Sequence, residues 1–294
     1  MRKSGVVKVA TCQFPVSANV DRNAAYVHRQ MLQARKMGAD AVHFPEAALS
    51  GYGGADLATW DDFDWERLRC RTEEICELAA RHRLWVVLGS AHPLTGRHRP
   101  HNSLYLIGPD GSIVDRYDKR FCTGGPTVPS QSGPNGDLKF YSPGDHAVLF
   151  EINGVRCGLL ICYDVRFPEL YRDYVKQRVQ LMFHSFYNAR AHGRGILTTI
   201  MRPTLQAHAA TNYMWISACN SSARYQSWPG VFVRPNGEIA ASLSFHRTGV
   251  MVNTADTNKK LYDASGPWRE RSMKGILHSG RTVRDRRSRD RRSL

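Results

Sequence analysis

No stretch of the chain approaches the roughly 18 consecutive apolar residues that a membrane-spanning helix requires, so such a helix is excluded. The start, MRKSGVVKVATCQF, runs straight into an alternating apolar pattern. It lacks the long apolar segment and small-residue cleavage site of a secretory signal, so a cytoplasmic protein is the expectation. The seven cysteines, at 12, 70, 76, 122, 157, 162 and 219, include no C-x-x-C pair. Zinc-ribbon and thioredoxin-type sites are unsupported, and neither a metal nor a cofactor is expected. Scattered thiols in a cytosolic chain are normally reduced, and one of them is available as a nucleophile. No internal repeat is visible. Acidic residues are scarce: 26 against 41 basic ones, for a formal charge of +15. Part of that excess is local, because Arg281 to Leu294 holds seven Arg and two Asp.

What is present is a globular balance of 42% apolar and 23% charged residues, which rules out a wholly disordered or collagen-like chain. At 294 residues, a count of roughly 150 per domain suggests two units, but layered α/β folds often exceed 250 residues as one. The patterning alternates strands and helices. Strands are read at Val6–Phe14, Ala41–Phe44 and Leu84–Ser90. The helices between them are read at Asp21–Met37, with Asp21 as N-cap and Gly38 as C-cap, and at Asp64–His82. Hairpins follow at Asn102–Ile107 with Ser112–Tyr117, and at Val148–Ile152 with Val155–Ile161 about Asn153-Gly154. Helices from about Pro168 to Gln177 and Thr199 to Asn212 flank a strand at Val179–Phe183. Later strands fall at Met214–Ala218, Gly230–Val233, Ile239–Ser244 and Gly249–Val252. This is the pattern of an α/β fold with buried sheets. Thr123–Asp137 is a long Gly/Pro/Ser-rich loop, of the kind that is usually functional or mobile. The tail after Gly280 has one Leu and one Val in 14 residues, too little apolar surface to order itself alone.

Three segments carry candidate chemistry. In Phe44-Pro45-Glu46 a carboxylate follows a buried strand, at the sheet edge where open α/β folds place ligands. Such an edge can desolvate a Glu and raise its pKa toward general-base use, although a helix cap or surface Glu explains the position equally well. In Tyr117-Asp118-Lys119-Arg120-Phe121 a lysine enters the long loop, where a solvated basic loop is the commoner explanation. In Gly158-Leu159-Leu160-Ile161-Cys162-Tyr163-Asp164 an apolar strand breaks off at a cysteine, and Pro168 suits the first turn of the next helix. A thiol at a strand-to-helix turn lies near N–H groups that stabilise a thiolate, while a lone Cys is more often a small buried hydrophobe.

Together the three segments resemble the nitrilase, or carbon–nitrogen hydrolase, superfamily from about Val6 to Gly275, in its amidase-type branch. The resemblance rests on F-P-E-A-A-L-S-G-Y around Glu46, Y-D-K-R-F around Lys119, and G-L-L-I-C-Y-D-V-R-F-P-E-L around Cys162. It implies an α/β, four-layer αββα sandwich over residues 1–280, with 281–294 as an Arg-rich C-terminal tail. It also implies a Glu46-Lys119-Cys162 triad, with the backbone N–H of Tyr163 helping to hold an oxyanion. Many relatives carry a second glutamate eight residues before the Asp of a P-G-D motif. Here Pro143-Gly144-Asp145 is present and the matching position is Asp137, a carboxylate one methylene shorter that is expected to orient Lys119 or the substrate amine. Where relatives have a histidine after the lysine pair, this chain has Phe121-Cys122, which implies a remodelled pocket mouth.

Tyr163-Asp164 after the nucleophile looks like the amidase-type branches, whereas nitrile-cleaving members more often carry Trp-Glu. A small linear amide is therefore favoured as substrate, with a nitrile or N-carbamoyl substrate on the same triad as the alternative. By family position Ser185–Arg190, Tyr187 included, lines the pocket, with Tyr52 opposite; Arg190 is a candidate clamp for a substrate carboxylate, or else a structural arginine. Arg166 and Glu169 are expected to hold the turn in place. Copies are expected to pair as homodimers or higher homo-oligomers. Two competing readings remain. One is a thiol–imidazole pair that draws on His184 or His208. The other is nucleic-acid binding through the basic tail, which no accompanying RNA or DNA module or interleaved aromatics support.

Overall fold

The computed structural model describes residues 4–124, 136–190, 193 and 195–289. In chain order these form β1 (Val6–Gln13), α1 (Val20–Lys36), β2 (Ala41–His43), α2 (Trp65–His82), β3 (Trp85–His92), β4 (His101–Ile107) and β5 (Ile113–Asp118). The second half comprises β6 (Leu149–Ile152), β7 (Val155–Ile161), α3 (Pro168–Lys176), β8 (Leu181–Phe186), α4 (Ile196–Asn212) and β9 (Trp215–Asn220). It ends with β10 (Val231–Val233), β11 (Ile239–Ser242), β12 (Gly249–Asp256), α5 (Gly266–Met273) and the four-residue α6 (Arg286–Arg289). Most of the long Gly/Pro/Ser-rich loop, residues 125–135, lies outside the described residues.

The strands build two six-stranded sheets, ordered β12-β1-β2-β3-β4-β5 and β11-β10-β9-β8-β7-β6. Each has three parallel central strands with antiparallel neighbours at both edges. In β1–β3 successive side chains leave by opposite faces, as the pleat dictates. Val9, Ala41 and Val87 join the core between the sheets, where they meet Leu159, Phe183 and Ile216. Ala10, Val42 and Val86 face the other way, onto Val27 and Met31 of α1 and Ile75 and Ala79 of α2. With both faces covered, these strands read as apolar runs in the sequence. Helices α3 and α4 cover the outer face of the second sheet, with Tyr171, Tyr174 and Leu205 fully or almost fully buried. The architecture is α-β-β-α.

Several boundaries differ from the sequence reading. The cap of α1 is Asn19, whose side chain accepts from the Arg22 N–H, and not Asp21. Asp21 sits in the first turn and pairs instead with Arg67 and Arg71 of α2. Helix α4 starts earlier, at Ile196, and continues through Pro203. Strands β8 and β9 run further than the apolar pattern, to Phe186 and Asn220, because polar Ser185 and Asn220 are bonded inside the core. The tail residues 281–286 are exposed.

Candidate active site

Glu46, Asn102 and Lys119 all lie at one edge of the first sheet, because each follows or begins a strand there: the ends of β2 and β5 and the start of β4. The Glu46 turn is pinned to β3. Phe44 N–H donates to Val87 O at 2.9 Å and Leu49 N–H to Gly89 O at 2.9 Å. Gly89 is required there, since a Cβ on it would lie 2.0 Å from Pro45 O. The Lys119 main chain is held on both sides. Its N–H donates to Asn102 O at 2.8 Å, and its carbonyl accepts from Gly144 N–H at 2.9 Å. Gly144 belongs to the P-G-D motif, and a Cβ at this glycine would meet Asp118 O at 2.6 Å. The motif therefore has a physical role: close backbone approach behind the lysine.

These elements bring a charged cluster together in the interior. Lys119 and Glu46 are fully buried and Asp137 nearly so. Lys119 Nζ donates to Glu46 Oε1 at 2.8 Å and to Asp137 Oδ2 at 2.7 Å. Asn102 Nδ2 donates to the same Glu46 oxygen at 2.7 Å, and Tyr52 OH to Asp137 Oδ1 at 2.6 Å. Glu46 Oε2 is buried, with no hydrogen-bond partner among the described residues.

Cys162 follows β7 and opens a short 3-10 turn, Cys162–Arg166, with its φ at 41°. A non-glycine residue in that region is strained, as at a nucleophile turn. The charges of Glu46, Lys119 and Asp137 all act on its thiol. Asn188 Nδ2 points at Sγ from 3.5 Å, and the Tyr187 main-chain N–H also serves it. Burial holds the thiol up, so at rest the proton stays on sulfur. Burial also raises Glu46, against the pull of Lys119. For Asp137 burial acts upward too, but Lys119 outweighs it and the carboxyl ends below its usual range. Lys119 is well above its usual value, because the two carboxylates overcome the cost of burying the ammonium. The two carboxyls that share the Lys119 ammonium are thus driven in opposite directions by their surroundings.

Sequence profiles of known families match this arrangement. The profile described as carbon-nitrogen hydrolase covers residues 8–260. The chain belongs to the carbon-nitrogen hydrolase family. It is a hydrolase of non-peptide carbon–nitrogen bonds, of the nitrilase superfamily. It is similar to a hydrolase in the agr operon of Staphylococcus lugdunensis, at 30% identity over 70% of this chain and 82% of that one. It is also similar to the omega-amidase NIT2 of Bos taurus, at 26% identity over 84% of this chain and 87% of that one. The crystal structure of an amidase from Nesterenkonia sp. shares the fold, with a TM-score of 0.74 at 19% identity, covering 94% of this chain and 98% of that one.

Other candidates of this hydrolase land elsewhere. Tyr52 and Tyr187 stack at 4.7 Å beside the cluster, with Tyr187 almost buried. The carboxylate-clamp expectation for Arg190 does not fit. Its guanidinium is held by Asp56 at 2.6 Å, Tyr187 OH at 3.1 Å and Val16 O at 3.1 Å, which makes it a structural arginine. Ser185 and Phe186 are fully buried, and Ser185 Oγ donates to Phe44 O behind the Glu46 turn. Arg166 and Glu169 are exposed. The turn is held by Asp164, which accepts from Ile161 N–H, Phe121 N–H and Tyr117 OH. Burial lifts Asp164 to about 6. Cys122, at the altered position after the lysine pair, is pushed up to about 12 by burial. His184 bonds Tyr171 OH at 2.7 Å, and His208 donates to Val165 O at 2.9 Å; burial drives His184 far below the usual histidine range. Both rings brace the turn from behind, so the thiol–imidazole pair is not formed. Asn102 and Asp164 escaped the sequence reading as site residues because a lone amide or acid carries no spacing signal.

Proposed function

We propose that the protein hydrolyses a small linear amide to an acid and ammonia or an amine, through a thioester on Cys162. The observation that carries this reading is the buried Glu46–Lys119–Asp137 cluster, joined by Lys119 Nζ contacts of 2.8 and 2.7 Å, whose three charges all act on the Cys162 thiol. Cys162 Sγ attacks the amide carbon while its proton passes to Glu46. Lys119 Nζ and the Tyr163 N–H stabilise the tetrahedral oxyanion, one such donor being worth about 2.7–4 kcal/mol of barrier. Glu46 returns the proton to the departing nitrogen as the C–N bond breaks. Water then attacks the thioester, Glu46 takes its proton and the thiol is restored. Asp137, fixed by Tyr52 and Lys119, keeps the ammonium aimed. The similarity to omega-amidase NIT2 supports an amide over a nitrile.

The test is turnover of a panel of small amides, nitriles and N-carbamoyl compounds by the wild type and by Cys162→Ala. The expected result is amide hydrolysis that disappears in the variant. Preferential nitrile or N-carbamoyl turnover replaces the substrate class, and wild-type rates from the variant remove the mechanism.

A further inference from the structure

Beyond the triad, the β3–β4 connection and the 136–141 segment enclose a cavity of about 540 Å³ that the proposed chemistry does not use. This lies within the range of small-molecule sites, about 300–1,000 Å³. One wall is aromatic: Trp60 and Trp65, stacked at 5.4 Å and both partly exposed. The other carries three exposed cations, Arg97, Arg99 and Lys139.

Several arginines elsewhere in the fold are tied up in ion pairs. Arg67, Arg71, Arg116, Arg190, Arg234 and Arg269 each hold a carboxylate. Among the described residues none pairs with Arg97, Arg99 or Lys139. Arg99 donates to Leu138 O, and Lys139 rests over the Phe140 ring. Residues 125–135, which join the described chain three residues before Lys139 turns toward the cavity, contain no Asp or Glu. One carboxylate, Asp61, faces the cavity, and it already accepts from Thr59. The cavity is therefore net positive on one side and presents aromatic faces on the other.

We propose that this groove is a second binding site that takes a flat ring bearing a phosphate or carboxylate: the ring packs against the open side of the Trp60–Trp65 stack, and the anion is held by Arg97, Arg99 and Lys139. It is walled off from the triad by aromatics. Trp60 packs edge-on against Tyr141 at 5.6 Å, and Tyr141 against Tyr52 at 5.8 Å. The proposal does not rest on the amidase reading, since none of its residues belongs to the catalytic cluster.

The test is calorimetric titration of the full chain with AMP, phenyl phosphate and benzoate, with inorganic phosphate and adenosine alone as controls. Arg97 and Arg99 lie on an exposed loop, so the double variant Arg97→Glu/Arg99→Glu keeps the fold, which its thermal melt verifies. At least one ring-bearing anion is expected to bind saturably and at least tenfold tighter than either control. The phosphate and benzoate arms tell which anion is preferred. The double variant is expected to weaken binding at least tenfold, and Cys162→Ala to leave it unchanged. Failure of all three ring anions to saturate, indifference to the double variant, inorganic phosphate binding as tightly as the ring anions, or loss of binding in Cys162→Ala each overturns the proposal.

Discussion

Glu46 and Asp137 are carboxyls that hold the same ammonium, yet their surroundings drive them apart, Glu46 upward and Asp137 downward. The proposed mechanism has Glu46 ionised in the free enzyme. Activity must therefore fall as pH drops through its raised value, and the acid limb of kcat/KM is expected above the ordinary glutamate value of about 4.3. Asp137 contributes to that rise by charge repulsion. Asp137→Asn is therefore expected to move the limb to lower pH while reducing the rate; a limb that stays or moves up contradicts this assignment. Glu46→Gln is expected to lower kcat/KM by about 10²–10⁴-fold, the usual worth of a general acid–base, measured on the preferred amide.

At the scale of elements, the site depends on close backbone packing behind each catalytic side chain. Gly89→Ala places a methyl against Pro45 O and pushes the Glu46 turn off β3. Such overpacking typically costs about 1–3 kcal/mol, so a lowered urea midpoint together with lost turnover is expected. Behind Cys162, the Tyr171 and His208 rings stack at 3.8 Å and Tyr171 bonds His184. His184→Phe orphans the Tyr171 hydroxyl, a loss of about 1–3 kcal/mol. As a positioning residue it is expected to lower kcat and the rate of Cys162 alkylation by iodoacetamide, with KM unchanged; a rise in KM alone contradicts that role.

Elements were legible in the sequence where both faces of a strand are buried, as in β1–β3, and where a motif carries chemistry at fixed spacing, as around Cys162. Lys119 was legible only through the family motif, because a basic run normally faces water. The α1 cap was misplaced because Asp21 and Asn19 are equally good caps by type, and the pairing of Asp21 with α2 is a tertiary contact. The turn brace was misassigned to Arg166 and Glu169 because nothing local announces that Asp164 turns inward to Ile161 N–H in its own turn and to two donors, Tyr117 OH and Phe121 N–H, from a distant segment.

Across the whole molecule, burial holds several titratable groups in one protonation state. His43 is pushed down to about 3, His92 to about 4, and His184 also lies well below the usual range. Below about pH 6.5 the unfolded chain protonates these histidines while the folded one does not, so stability falls as pH falls. Asp164 and Glu46, raised in the folded state, act in the opposite direction, whereas Asp137 and Asp118, held below their usual range by Lys119 and Arg116, act with the histidines. The urea midpoint is therefore expected to be lower at pH 5 than at pH 7.5; a higher one contradicts this balance. The C-terminal part leaves Tyr262, Trp268, Leu277 and Val283 exposed. Light scattering is expected to give at least a dimer mass, and a monomer mass contradicts the expected pairing.

The mechanism is tested most directly by intact-mass spectrometry with peptide mapping on protein acid-quenched during turnover of an amide. The account predicts a mass gain equal to the acyl group, located on Cys162 and absent from Cys162→Ala. Turnover accompanied by an adduct on another residue contradicts it.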